Sequence, residues 1–149
     1  MSGILTHSPA EVLRYLLIQL GHGVLPPASS GWPISVSSEQ DLPDQVITIY
    51  DTAGRYDGRS MQTGQKWEFY GVQIRVRGLN HSDCQLKARQ IAVALDESIR
   101  NNVVTISTTQ YGVYSTSRTS GPMSIGKEPN TNRVLFTINA VVALRQITT

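Results

Sequence analysis

The strongest signal in the chain is alternation. Between Arg133 and Arg145 the apolar residues Val134, Phe136, Ile138, Ala140, Val142 and Leu144 take every second position, with Arg133, Thr137, Asn139 and Arg145 on the other side. Side chains of a strand point to opposite faces in turn, so this stretch predicts a long strand with one face on a core. Val141 and Ala143 make its other face mildly apolar near the end, which points to a surface covered by a neighbouring subunit. Trp67 to Leu79 carries the same signature: Tyr70, Val72, Ile74 and Val76 on one face, Gly71, Gln73, Arg75 and Arg77 on the other. Arg75 and Arg77 are thereby expected on a wet face, solvated or meeting a partner. Shorter strands are expected at Ile34 to Val36, Val46 to Tyr50, Val103 to Ile106 and Tyr111 to Ser117.

Two stretches switch to helical spacing. From about Pro9 to Leu20, Val12, Leu13, Leu16, Leu17 and Leu20 form one apolar stripe. Ser8 is a good N-cap, Pro9 fits the first turn where its missing N–H costs nothing, Glu11 completes a capping box, and Gly21 and Gly23 end the helix. The second helix runs from about Ser82 to Arg100, capped by Ser82 or Asn80, with Cys84, Ala88, Ile91, Ala92, Leu95 and Ile99 inward and Lys87, Arg89, Asp96, Glu97 and Arg100 off the stripe. A strand feeding an amphipathic helix is the skeleton of a small α+β domain.

The remaining segments have no period. Leu25 to Asp44 is broken by Pro26, Pro27, Pro33 and Pro43. Asp51 to Lys66, with three glycines, reads as a functional loop or arm, and as an extended hairpin if Val46–Tyr50 pairs with Trp67–Val76. Ser117 to Asn132 reads as a second polar loop, holding Arg118, Gly121, Gly126 and Lys127.

Composition narrows what such a chain does. Its 149 residues suit a single domain. Thirteen Lys and Arg against eleven Asp and Glu give a net charge of +2, scattered rather than striped, which argues against a polyanion binder. One cysteine, Cys84, permits no intrachain disulfide and no Cys-based zinc site. The start, Met1 to Pro9, lacks a signal-type apolar core, and no apolar run reaches the roughly 18 residues of a membrane span, so the expectation is a soluble cytoplasmic product.

Candidate chemistry is sparse. His7 and His22 stand without suggested partners and read as ordinary loop histidines; Glu39, Asp41, Asp44, Asp51 and Asp57 read as a solvated acidic rim, lacking the spacing of a calcium loop. His81 with Cys84 has nucleophile–base residue types but no third member, and Cys84 reads as a small buried residue. Asp51-Thr52-Ala53-Gly54 imitates a GTPase switch, and Gly121 to Lys127 nearly spells a phosphate-binding loop. The residue after Lys127 is Glu128 where a magnesium-holding Ser or Thr is needed, Pro129 to Asn132 is turn sequence rather than the start of a helix, and the two pieces come in reversed order. A nucleotide-binding enzyme is therefore the distant alternative. No catalytic residue, cofactor or metal is expected.

Four stretches together resemble a known family. Val72-Gln-Ile-Arg-Val-Arg-Gly-Leu-Asn-His-Ser-Asp83, Lys87-Ala-Arg-Gln-Ile-Ala-Val-Ala-Leu-Asp96, Ser117-Arg-Thr-Ser-Gly-Pro122 and Arg133-Val-Leu-Phe-Thr-Ile-Asn-Ala-Val-Val-Ala-Leu144 are similar to the minor capsid or tail terminator proteins of tailed bacteriophages, and the similarity extends over most of the chain. The resemblance implies an α+β subunit with a mixed, mainly antiparallel sheet, two main helices on one side and a projecting hairpin-like loop. It implies a virion protein of the tail-neck region that forms a ring, commonly hexameric, which caps the tail tube, stops its elongation and receives the head connector. The implied partners are further copies of the chain, the major tail tube protein and the connector, with no membrane and no specific nucleic acid, although DNA would pass through the ring. The family carries no active site. Another head-completion or connector protein is the near alternative. A closed ring needs two different contact surfaces; the candidates are Arg55, Arg59, Arg75 and Arg77 with the 51–66 arm on one side, and Arg118 and Lys127 in the 118–127 loop toward tube or connector. On this reading, replacing Arg75 and Arg77 by Ser should weaken the ring and leave the monomer folded.

Overall fold

In the computed structural model, residues 5–26, 31–39, 43–59, 61–62, 66–99, 101–129 and 131–148 are described. The elements run α1 (Pro9–Gln19), β1 (Ile34–Val36), β2 (Val46–Arg59), β3 (Lys66–Gly78), α2 (His81–Val93), a π-helical turn (Ala94–Ser98), β4 (Asn102–Ile106), β5 (Thr109–Arg118), β6 (Met123–Lys127) and β7 (Val134–Thr148). The strands form one sheet in the order β1-β2-β3-β7-β5-β4, with β6 also on β7. Among the named strands of the described residues β1–β2 is the parallel pairing and the others are antiparallel, so the α+β class with a mixed, mainly antiparallel sheet holds. β7 is the spine: β3 flanks it over Val134–Val142 on one side, and β5 and β6 share its other side.

Both helices pack on one face. The alternating sets behave as their period requires: Val72, Ile74 and Val76 of β3 are buried, as are Val134, Phe136, Ile138, Ala140, Val142 and Leu144 of β7. They meet Val12, Leu13, Leu16 and Leu17 of α1 and Cys84, Ala88, Ile91, Ala92 and Leu95 from α2 and its π turn in one continuous cluster. α1 touches β1 and β2 near one edge of the sheet and β4 at the other, so the sheet curls around it. Its start is built as the sequence demands: Ser8 Oγ accepts from the Glu11 N–H at 3.3 Å with Pro9 in the first turn. Asn80 rather than Ser82 caps α2, its Oδ1 accepting from Ser82 and Asp83 N–H.

The structure departs from the sequence reading in two places and decides between alternatives in a third. Asp51–Lys66 takes the extended-hairpin alternative and not the loop: Val46–Tyr50 pairs with residues 73–77, β2 and β3 stay laddered out to Arg59↔Lys66, and the tip residues 60 and 63–65 lie outside the described residues. Residues 51–55 are exposed, and a ribbon wet on its surface has no apolar period to read. Within Ser117–Asn132, Met123–Lys127 is a strand, hidden for the same reason because all five residues are exposed. The outer face of the sheet is not simply wet either. Arg77, Thr48, Thr137, Leu135 and Arg133 are buried, and Arg77 and Arg133 are held there by Glu39 and Asp44.

Candidate functional site

Cross-strand register lines the outer face into rows. Val46, Arg77 and Leu135 form one, and Thr48, Arg75 and Thr137 the next. The two arginines thus sit side by side and reach the same carboxylate: Arg75 Nη1 lies 3.2 Å from Glu39 Oε2 and Arg77 Nη1 3.3 Å from Glu39 Oε1. Arg77 goes further, donating from Nε to the Asp44 carbonyl at 3.0 Å and from Nη2 to the Pro43 carbonyl at 2.9 Å. Its side chain is only 3% exposed. Arg133, just before β7, holds the Asp44 carboxylate at 2.9 Å and approaches Glu128 at 3.9 Å. Among the described residues three guanidiniums face three carboxylates here, and the cluster is a clasp that holds Glu39, Pro43 and Asp44 on the sheet. Arg75 differs from the other two: it is 31% exposed, packs its guanidinium 5.6 Å from the Tyr50 ring centre, and keeps a buried Nε without a hydrogen-bond partner. Burial, with Glu39 nearby, pushes the Tyr50 phenol above its ordinary range.

Arg118 ends β5 in a polar cleft of about 470 Å³ lined by Asp96 and residues 116–121. It grips Asp96 of the π turn with two parallel bonds, Nε at 2.9 Å and Nη2 at 2.7 Å, which hold the Asp96 carboxyl below its usual range. Thr116 Oγ1 donates to the Leu95 carbonyl, a second tie between β5 and the same turn. Lys127 closes β6 and is exposed. Arg55 is exposed, its guanidinium stacked 4.4 Å from the Phe69 ring centre across the β2–β3 ladder. The Arg59 backbone pairs with Lys66, and its side chain lies outside the described residues. The six candidates therefore fall into an inner pair (Arg75, Arg77), a ribbon pair (Arg55, Arg59) and a pair on the far side of β7 (Arg118, Lys127).

The ribbon has a built-in bend. Between Thr52↔Gly71 and Arg55↔Phe69, and again between Tyr56↔Glu68 and Gly58↔Trp67, β2 carries one residue more than β3. Such bulges kink and twist a strand pair. They fall where the β3–β7 ladder stops at Tyr70↔Val142, so residues 66–69 pair with β2 alone. Gly54 is required there: a Cβ on it would lie 1.9 Å from the Phe69 carbonyl oxygen.

The other sequence candidates resolve into structural roles. His7 accepts or donates at Nδ1 with Tyr111 Oη at 2.7 Å and donates its backbone N–H to the same oxygen at 2.8 Å, tying the start of the chain to β5. His81 packs on Phe136 and Cys84 is fully buried, its thiol pushed up to about 11 by burial and the Asp83 charge, so it is no nucleophile at neutral pH. His22 takes a Lys87 ammonium on its carbonyl. Gly126–Lys127 lies in β6 and the chain then turns back into β7, which gives no helix N-terminus to a phosphate. Among the described residues no three His, Cys, Asp or Glu side chains converge as a metal site would need, and no helix is long and apolar enough to cross a membrane. Sequence reasoning missed Arg133, Glu39 and Asp44 as members of the clasp; the available signal was their opposite charge on segments flanking the two long strands. No protein-family model matches the chain, and no curated protein matches it significantly.

Proposed function

We propose that this chain is a tail terminator subunit of a tailed bacteriophage, forming a ring, most simply hexameric, that caps the tail tube, stops its elongation and joins it to the head connector. The observation that carries the reading is the packing of the stretches that bear the family resemblance. Residues 72–83, 87–96 and 133–144 correspond largely to β3, α2 and β7, which pack as one unit at the centre of the molecule, and 117–122 borders β7 next to them. A resemblance spread over unrelated surface segments would have had no such coherence. The clasp favours protein partners over nucleic acid, since each of its arginines already faces a carboxylate. Contacts with the tail tube protein, the connector and further copies then fall to the exposed Arg55 and Lys127, the partly exposed Arg75 and Arg118, and Arg59 at the end of the β2 ladder. Arg77 belongs to the fold of each subunit. The test is light scattering on size-fractionated protein over a wide concentration range. Closed oligomers of one defined mass are expected; monomer at every concentration would overturn the proposal.

A further inference from the structure

Three features meet at Arg118. It ends β5 in the polar cleft of about 470 Å³ that Asp96 and residues 116–121 line. Asp96 belongs to the π-helical turn Ala94–Ser98, and such turns are rare in helices and frequent at functional sites. Ser120, in the same cleft wall, keeps a buried Oγ with no hydrogen-bond partner.

The geometry of the Arg118–Asp96 pair limits what the cleft can hold. A guanidinium carries five N–H groups, which form a side-on fork from Nε with one Nη and an end-on fork between the two Nη nitrogens. Asp96 takes the side-on fork, from Nε at 2.9 Å and Nη2 at 2.7 Å, and the Ser120 carbonyl takes one N–H of Nη1 at 3.4 Å. One N–H on each Nη nitrogen is left over. The Ser120 contact is at the long limit of a hydrogen bond and yields to a better acceptor, which frees the whole end-on edge.

Asp96 thereby sets the arginine in place before any ligand arrives, so its rotamer freedom is already spent. Thr116 Oγ1, donating to the Leu95 carbonyl, ties the same turn to β5 a second time. Asp96 also offsets the charge of Arg118, so the cleft selects by shape more than by net charge. A planar group with two oxygens matches the end-on fork, whereas a phosphate, with more negative charge, is opposed by the Asp96 carboxylate beside it.

We propose that this cleft is a binding site for a carboxylate side chain of a protein partner, received end-on by Arg118 Nη1 and Nη2, with Ser120 turning its hydroxyl onto the same group. The site goes beyond the ring reading and does not need it, since one subunit carries all of its residues.

Nuclear magnetic resonance on the full ¹⁵N-labelled chain at fixed ionic strength tests it, with N-acetyl-glutamate amide as the probe. Saturable shifts of the amides at residues 95–97 and 116–121 are expected at millimolar concentrations, and none from the glutamine counterpart, which has the same shape without the charge. Arg118→Lys keeps the positive charge but has no second fork, and should weaken binding by about tenfold or more while the β3 and β7 amides stay in place. Equal shifts from the glutamine compound, or no saturable shift from either, would overturn the proposal, and this comparison needs no variant to fold. Undiminished binding by a folded Arg118→Lys would overturn it too. Inorganic phosphate binding more tightly than the glutamate compound would overturn the carboxylate in favour of a phosphate ligand.

Discussion

Arg77→Met separates a structural arginine from a surface one. The side chain is 3% exposed, and its contacts among the described residues include the Pro43 and Asp44 carbonyls at 2.9 and 3.0 Å and Glu39 at 3.3 Å. Methionine fills much of the volume but leaves two carbonyls and part of a carboxylate without their donor. Breaking a buried ion pair by removing one partner costs about 3–5 kcal/mol, and each orphaned carbonyl about 1–3 kcal/mol where it stays dry. Pro43, Asp44 and Glu39 are partly exposed, so water recovers part of this, and about 3 kcal/mol is the expected net loss. For a chain of this size that lowers the melting temperature by roughly 6–12 °C. Arg75→Met, removing a 31% exposed guanidinium with one ion pair, should cost under about 1 kcal/mol. Urea denaturation of both variants at constant slope is the assay. Equal losses, or an Arg77 variant within about 1 kcal/mol of the parent, would refute the clasp as a folding element. The result also bears on the arginine pair as a probe of assembly: only Arg75 can be changed without disturbing the monomer.

The same geometry sets further expectations. Gly54→Ala places a methyl group 1.9 Å from the Phe69 carbonyl, so the bulge must rearrange; faster amide exchange at residues 66–71 with little change at β7 is expected, and unchanged protection there would count against the bend. Tyr111→Phe removes the oxygen that serves both His7 Nδ1 and the His7 N–H and should cost about 1–3 kcal/mol, with residues 5–8 becoming open to protease first. Because burial raises the Cys84 thiol to about 11, the folded chain holds that proton more tightly than the unfolded one; stability is full below the ordinary thiol range near 9 and falls as pH climbs through 11. Cys84→Ala should flatten that alkaline decline in a denaturation series from pH 8 to pH 11.

Legibility from sequence tracks exposure. β7 and β3 are readable because one face of each is buried, so Val134–Leu144 and Val72–Val76 have to alternate. α1 is readable from its ends, Ser8, Pro9 and the glycines after Leu20. Residues 51–55 of the ribbon and β6 are not, since exposed strands place no demand on their residues; the alternate Met123 and Ile125 are the trace of β6. The outer face is obscure for a different reason. Arg75 and Arg77 look alike in the alternation, and only the placement of Glu39, Pro43 and Asp44, distant in sequence, separates the buried Arg77 from the partly open Arg75. Arg133 reads as the polar start of a strand, yet it is 7% exposed and part of the same clasp. For the proposed assembly surface, the residue types are visible in the sequence but their grouping is not: Arg55 with Phe69, and Arg118 with Asp96, are pairings across a ladder and across a turn.

A tail terminator, as proposed for this chain, ends tail growth. Electron micrographs of tails assembled with and without it test that most directly: with the protein present, tails of uniform length carrying a ring of density at the head-proximal end are expected, and without it tubes of uncontrolled length. Tails of the same length in both samples would contradict the account.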